Sequence, residues 1–383
     1  MTTAVQVQFR RGTQSQMASF TGAAGETNVD TTNNRIVVQD GTTAGGWPAA
    51  RLSEIGGGFL NKFRNGTMDV WQRGTSALTA TTSGAYTADG WIVLPTGASV
   101  TVAQAGGRLV TKNSLQVTGA SSVTDLIIKQ RIESLMAAAF CSQTVTVQAQ
   151  VYNGTGGSIT PKLTVNRPSA QDNYTSVTAD VSAVSLQACA AGAWTLVSYT
   201  FVANAASYNG LEIAFDFGNN FGSSGKLLQI TECDVRVTNG VPSGQQTPGN
   251  FIPWPELRPI GIEFPFCQRY LPAVNYNTAG GSNQPAGLGQ ATGTGTGFIT
   301  LGFTAPARVP PSGIVVSGVT GFQLTNASAG AAAAIAAMTF ANGSTMNSTV
   351  FVTGASGLVA GNATTLLMVG SNGQQILFTG AEL

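Results

Sequence analysis

The chain contains no histidine. Cys-His and Ser-His nucleophile pairs are thereby excluded, and so is a zinc site completed by imidazole. Charge is also scarce: 9% of residues are Asp, Glu, Lys or Arg, against roughly 25% in an ordinary domain. The net charge is +1, with basic residues spread along the chain, so the basic patch that displaces counterions from nucleic acid is missing. Acidic residues are equally dispersed and offer no metal-loading surface. Four cysteines, Cys141, Cys189, Cys233 and Cys267, contain no C-x-x-C pair. The opening MTTAVQVQFRRG lacks the apolar stretch of a signal peptide. Synthesis and folding in a cytoplasm are therefore expected, with the cysteines as buried thiols. No apolar run reaches membrane-spanning length. The Ala-rich AGAAAAIAAM at 329–338 is too short and reads as a short buried helix or a small-residue packing surface. The glycine-rich GAAGE and TTAGGWP lack the lysine and the strand-then-helix setting of a phosphate loop, so Gly41, Gly45 and Gly46 read as turn formers. Trp47, held extended before Pro48, is expected to pack on a neighbouring chain. No cofactor or metal is implied.

What is present is apolar and uncharged polar. At 383 residues and 43% hydrophobic, the chain has length for two or three domains. A surface of Thr, Ser, Asn, Gln and Gly suits sheets and turns, as in an extracellular or virion protein. Residues 1–55 read as a small β module that gains stability by associating with copies of itself, with a helical signal near AARLSEIGGGF. From 56 to 247, SVTVAQA, SLQVTG, TVTVQAQVYN, KLTVNR, WTLVSYTFV, LEIAFDFG and LLQITECDVRVTNG recur between turn clusters. They predict an antiparallel sandwich. DLIIKQRIESLMAAAF, 125–140, reads as a helix-like insert. After a proline-marked linker, residues 248–383 form a C-terminal β domain with strands such as FITLGF, GIVVSGV, TVFVTG, TTLLMVG and QQILFTG. The fold class is all-β, without the fixed repeat of a β-helix or propeller.

Candidate sites are few. FRNGTMDVWQRGT, 63–75, would as a strand turn Met68, Val70 and Gln72 to one side and Asp69, Trp71 and Arg73 to the other. An aromatic face between planar polar groups is the chemistry of a sugar site. The preferred alternative places Trp71 at a sandwich edge or subunit contact, with Asp69 and Arg73 satisfying each other or nearby backbone. Trp91 and Trp194 read as core. Tyr276, flanked by Asn275 and Asn277 before a glycine loop, is a second site where a ring stacks on sugar and amides bond hydroxyls. Arg269 in CQRYL is expected to pair with Glu263 or a backbone carbonyl at a domain junction. A glycan-cleaving carboxylate pair would draw on Glu212, Asp216, Glu232 or Asp234, but even spacing on strands suits a shared polar face as well. The reading is therefore non-enzymatic.

Three stretches resemble tail-fibre and receptor-binding proteins of tailed bacteriophages. QFRRGTQSQMASFTGAAGETNVDTTNNRIVVQDGTTAGGWP, 8–48, looks like the module that docks a fibre onto the virion. NKFRNGTMDVWQRGTS with YTADGW is similar to the opening of a carbohydrate-binding-module-like jelly roll, and RPIGIEFPFCQRYL, 258–271, to the segment that follows it. The resemblance implies a homotrimeric virion fibre or spike, attached to baseplate or another virion protein through its N-terminal module. Its partner would be a host surface polysaccharide, with neither nucleic acid nor membrane insertion involved. A structural virion connector or decoration protein, or a glycan depolymerase, is the alternative.

Overall fold

The computed structural model describes residues 9–49, 59–247, 251–252, 255–275, 283–326, 332–369 and 374–383. Near the N-terminus, Arg10–Gly12, Thr27–Asp30, Arg35–Val38 and Trp47–Pro48 form a four-stranded sheet in that order. Arg10–Gly12 runs parallel to Thr27–Asp30, and the other pairs are antiparallel. Asp40 caps the turn that follows Val38, accepting from the Thr42 and Thr43 amides at 2.9 and 2.7 Å. Gly41, Gly45 and Gly46 hold φ values of 83°, 90° and 59°, so their reading as turn formers stands.

The middle of the chain is an antiparallel two-sheet sandwich. One sheet has six strands, in the order Asn173–Ser185, Lys162–Ala170, Leu211–Asp216, Asp125–Ile132, Trp91–Thr96, Ala85–Tyr86. The other has seven, in the order Gly244–Gln245, Trp194–Val202, Thr144–Gly154, Leu227–Val237, Asn113–Thr118, Val100–Gly106, Leu78–Ala80. All seven predicted strand segments appear. Alternation makes the core: Val145, Val147, Ala149 and Val151 point inward and are buried, as are Leu126, Ile128 and Ile132 from the facing sheet. Cys189 and Cys233 lie in this core as free thiols.

One expected helix-like insert, and a stretch read as either a short helix or a small-residue packing surface, are strands instead. Asp125–Ile132 alternates half-buried and buried residues along its whole length. Its β-branched period-two pattern outweighed the helical spacing, and helix is confined to Ser134–Ala137 and a 3₁₀ turn at Ala138–Phe140. The described part of the Ala-rich stretch enters strands Ala332–Ala334 and Ala337–Gly343, paired to Phe322–Asn326 and Asn347–Thr353. Small side chains there suit sheet neighbours, and the ladder supplies backbone partners that an isolated short helix lacks. The helical signal at 50–58 lies outside the described residues.

Beyond the linker, helix Ile260–Gln268 leads into a three-stranded sheet, Ala273–Asn275, Gln375–Thr379, Gly313–Val316. A second sheet has seven strands: Ala332–Ala334, Phe322–Asn326, Ala363–Met368, Gln284–Ala291, Thr296–Gly302, Asn347–Thr353, Ala337–Gly343. Ile299, Leu301, Phe322, Val350, Leu366 and Phe378 meet in their own apolar core. Strands over FITLGF, GIVVSGV, TVFVTG, TTLLMVG and QQILFTG are all present.

Candidate functional site

FRNGTMDVWQRGT is a tight loop and not a strand. Asn65 and Met68 adopt φ of 51° and 57°, a left-handed backbone that asparagine tolerates better than most residues. The Asn65 side chain then mimics a strand partner: its Nδ2 donates to Val70 O at 2.8 Å and its Oδ1 accepts from Val70 N at 2.9 Å. Trp71 donates its indole N–H to Met68 O at 2.7 Å, turning the ring inward to 8% exposure. The even alternation expected of a strand fails because these local side-chain bonds replace the ladder.

The loop is pinned from both sides by buried polar groups. Gln72 donates through Nε2 to Asp89 Oδ2 at 2.5 Å and to Leu271 O at 3.0 Å, while its backbone N–H reaches Asp89 Oδ1 at 2.8 Å. Burial pushes the Asp89 carboxyl up, against the pull of the Gln72 hydrogen bonds. Arg258 reaches Glu263 at 2.8 Å and Phe63 O at 3.1 Å, and Glu263 accepts the Asn65 N–H. The Arg64 guanidinium lies 3.6 Å from the centre of the Tyr270 ring. Asp69 and Arg73 do not satisfy each other. Asp69 accepts from Thr67 at 2.6 Å and Asn113 at 2.7 Å, whereas Arg73 pairs with Glu382 at 2.5 Å.

Arg269 pairs with Glu133 at 2.7 Å, and not with Glu263 as its sequence neighbourhood suggested. Glu263 is taken by Arg258 and Asn65, and the turn after the helix aims Arg269 back at the sandwich. Tyr270 adds a hydroxyl bond to Glu133 at 2.6 Å. Burial disfavours the charged Glu133, but the hydrogen bonds from Arg269 and Tyr270 prevail and hold its carboxyl below the usual range. Tyr270→Phe is expected to cost about 1.5–3 kcal/mol, the range for a hydrogen bond to a charged group. Urea unfolding of the purified variant measures this, and an unchanged midpoint would mean that the hydroxyl is idle.

Two surfaces emerge from this framework. The first is an open cleft of about 590 Å³ walled by the 69–72 loop, helix Ile260–Gln268 and the distal sheets. It unites three sequence candidates, Asp69, Trp71 and Asn275; Arg73 is absent from its lining. Tyr276 and Asn277 lie outside the described residues. The second is the solvent face of the seven-stranded sheet. The register aligns Trp194 with Tyr152, Tyr152 with Gln229, and Gln229 with Gln116 in one row across four strands. The two rings stand 5.6 Å apart, and Gln229 donates to Gln116 at 2.9 Å. All four side chains are half-buried, so ring and amide edges are reachable.

Further along that face the linker covers the sheet. Gln148 brackets Ile252, donating to its O and accepting from its N, both at 2.9 Å. Asp234 accepts the Glu256 N–H at 3.0 Å. Trp194 was read as core, and the structure corrects this. The signal available was Tyr152 in TVTVQAQVYN, on the same non-core parity as Thr146, Gln148 and Gln150, but strand pairing was needed to bring the rings together.

The four carboxylates considered for cleavage are engaged or separated. Glu212 bonds Lys129 at 3.0 Å and Arg131 at 2.8 Å, while Asp234 forms a two-oxygen pair with Arg236. A bulge with φ of 52° at Glu232 breaks the even spacing to Asp234. Asp216 caps Gly218 N at 2.8 Å.

Fold and surfaces together define an all-β protein with a small N-terminal sheet, an antiparallel two-sheet sandwich and a distal β unit. Residues 7–43 match the family described as major tropism determinant N-terminal domain. A stretch of 54 residues is 56% identical to the tail fiber receptor-binding protein of Bordetella phage BPP-1, covering 14% of this chain and 14% of that relative. The chain thus spans about a seventh of the length of the curated relative it matches. Among solved structures, the bacteriophage CBA120 tailspike protein 4 enzymatically active domain aligns with TM-score 0.34 at 12% identity, over 47% of this chain and 22% of that one. The CBM22-2 xylan-binding domain of Paenibacillus barcinonensis Xyn10C aligns with TM-score 0.29 at 11% identity, over 42% and 99%.

Proposed function

We propose that this is a virion fibre or spike protein that recognises a bacterial surface glycan without cleaving it. The observation that carries the reading is the N-terminal module shared with a phage tail fiber receptor-binding protein. On this reading residues 1–55 attach the fibre to baseplate or another virion protein. Residues 56–247 and 248–383 face the host. The half-buried row Trp194, Tyr152, Gln229 and Gln116 supports sugar binding, since aromatic faces pack on pyranose C–H groups while amides bond hydroxyls.

Self-association as a homotrimer belongs to the same proposal. Its support is the apolar outer side of the N-terminal sheet, where Ile36, Val38 and Trp47 are 51%, 45% and 64% exposed. Val38 and Trp47 are register partners. Covering such a patch with copies of itself removes apolar area from water. Repeated weak sites then raise effective concentration at a polysaccharide-coated cell.

Adsorption of the labelled full chain to a panel of bacterial strains tests the reading. Binding to a subset is expected, lost after periodate oxidation of surface diols and kept after protease treatment. Binding removed by protease and indifferent to periodate would identify a protein receptor and overturn it.

A further inference from the structure

The cleft beside Trp71 contains an unusual set of unpartnered acceptors. Among the described residues, Gln268 Oε1, Asn275 Oδ1 and Gln374 Oε1 are each buried without a hydrogen-bond donor, and all three residues line the cleft. A buried acceptor left unmade costs about 1–3 kcal/mol. Buried polar groups in folded proteins mostly have partners, so three such acceptors around one cavity call for an explanation.

The orientation of Gln268 is fixed from behind. Asp89 accepts both N–H groups of Gln72, so the Gln72 amide must present Oε1 away from it. That oxygen receives Gln268 Nε2 at 3.3 Å, and Ala273 O receives it at 3.3 Å. With its NH₂ group committed, Gln268 offers the cleft an acceptor and nothing else. Asn275, the last residue of strand Ala273–Asn275, and Gln374, just before the partner strand Gln375–Thr379, are half-buried, with Asn275 in register with Gln375. The three oxygens are screened from water in this arrangement. Access by a ligand requires the half-buried Asn275 and Gln374 side chains, which border the cleft, to rotate.

The geometry points to this cleft as a binding site for a neutral, hydroxyl-rich saccharide, with Gln268, Asn275 and Gln374 accepting from sugar hydroxyls and Trp71, Phe264 and Ile260 forming the apolar wall. It rests on the glycan-receptor reading and adds a site separate from the aromatic row on the sheet. Charge selects the class. Among the described lining residues Asp69 is the one ionised group, so uronate, sialate or phosphate sugars meet an anion and no cation. Hydroxyl donors instead satisfy acceptors whose alternative is an unmade bond.

The test uses the full chain on immobilised neutral and anionic bacterial polysaccharides. Gln374→Leu and Asn275→Ala each remove one acceptor from a half-buried position, and a thermal unfolding midpoint no lower than that of the wild type confirms that each variant folds. Each is expected to weaken retention of a neutral polysaccharide about tenfold, the effect of roughly one hydrogen bond, with little response to added salt. Unchanged retention in both variants, with Trp194→Ala defective, overturns the cleft and leaves the receptor reading standing. Retention restricted to anionic polysaccharides and lost on raising salt overturns the neutral assignment. A wild-type chain that retains no polysaccharide overturns both.

Discussion

Trp91→Ala is expected to destabilise the central sandwich by about 3–5 kcal/mol, the range for deleting a large buried aromatic. Trp91 has no exposed surface, and its ring centre lies 5.1 Å from that of Phe63. Its indole N–H donates to Asn65 O at 3.0 Å. Truncation therefore opens a cavity in the main core and strips a partner from the strained loop that carries Trp71. The two losses share a contact and are not additive. Urea unfolding followed by circular dichroism measures the change, with Trp91→Phe as a milder comparison that keeps most of the ring volume. A loss under about 1 kcal/mol would mean that the site collapses around the gap, contrary to the close packing described.

Glu133→Ala is the second large effect, at about 2–3 kcal/mol. Breaking a buried ion pair costs about 3–5 kcal/mol, and the lower figure applies because the Arg269 side chain is 31% exposed and regains some hydration. The variant strands the Tyr270 hydroxyl, whose residue is 4% exposed. The effect depends on pH with a definite sign. Because the Glu133 carboxyl is held below its usual value, the contribution is complete above the unfolded pKa of about 4.3. It disappears as pH falls through the lowered folded value. The gap between wild type and variant should therefore close on acidification. Asp89 and Glu382 act in the opposite sense. Burial raises both carboxyls, so between the usual value and the raised one stability falls as pH increases. A gap that widens in acid would contradict the assigned partners of Glu133.

Much of the architecture was legible because period-two patterning is a local property. Every quoted strand of the sandwich and distal unit was visible this way, from SVTVAQA to QQILFTG. The failures have specific causes. In DLIIKQRIESLMAAAF two elements share one apolar run, so the strand Asp125–Ile132 borrowed helical spacing from the residues after it. Helix Ile260–Gln268 went unrecognised because its apolar residues occupy no single stripe and Pro265 sits inside it. The 63–75 loop looked like a strand because nothing in its alternation reveals that Asn65 bonds Val70 with its side chain.

The candidate sites were legible as residues and not as places. Asp69 and Trp71 were singled out as one site and Asn275 as part of another, and only the chain path from the sandwich into the distal sheets brings them to one cleft. Partner choice was similarly hidden: Arg73 with Glu382 and Arg269 with Glu133 span sequence separations that no local pattern encodes. The aromatic row was missed for the same reason, since the Tyr152–Trp194 pair exists only through strand register.

The central claim is that the aromatic row on the sheet face recognises sugar. The most direct measurement is retention of the full chain on an array of bacterial polysaccharides, compared with Trp194→Ala. The account predicts dose-dependent retention of a subset of polysaccharides by the wild type, and at least about tenfold weaker retention by a folded variant, the scale of one lost aromatic contact. Equal retention by the two chains would contradict it.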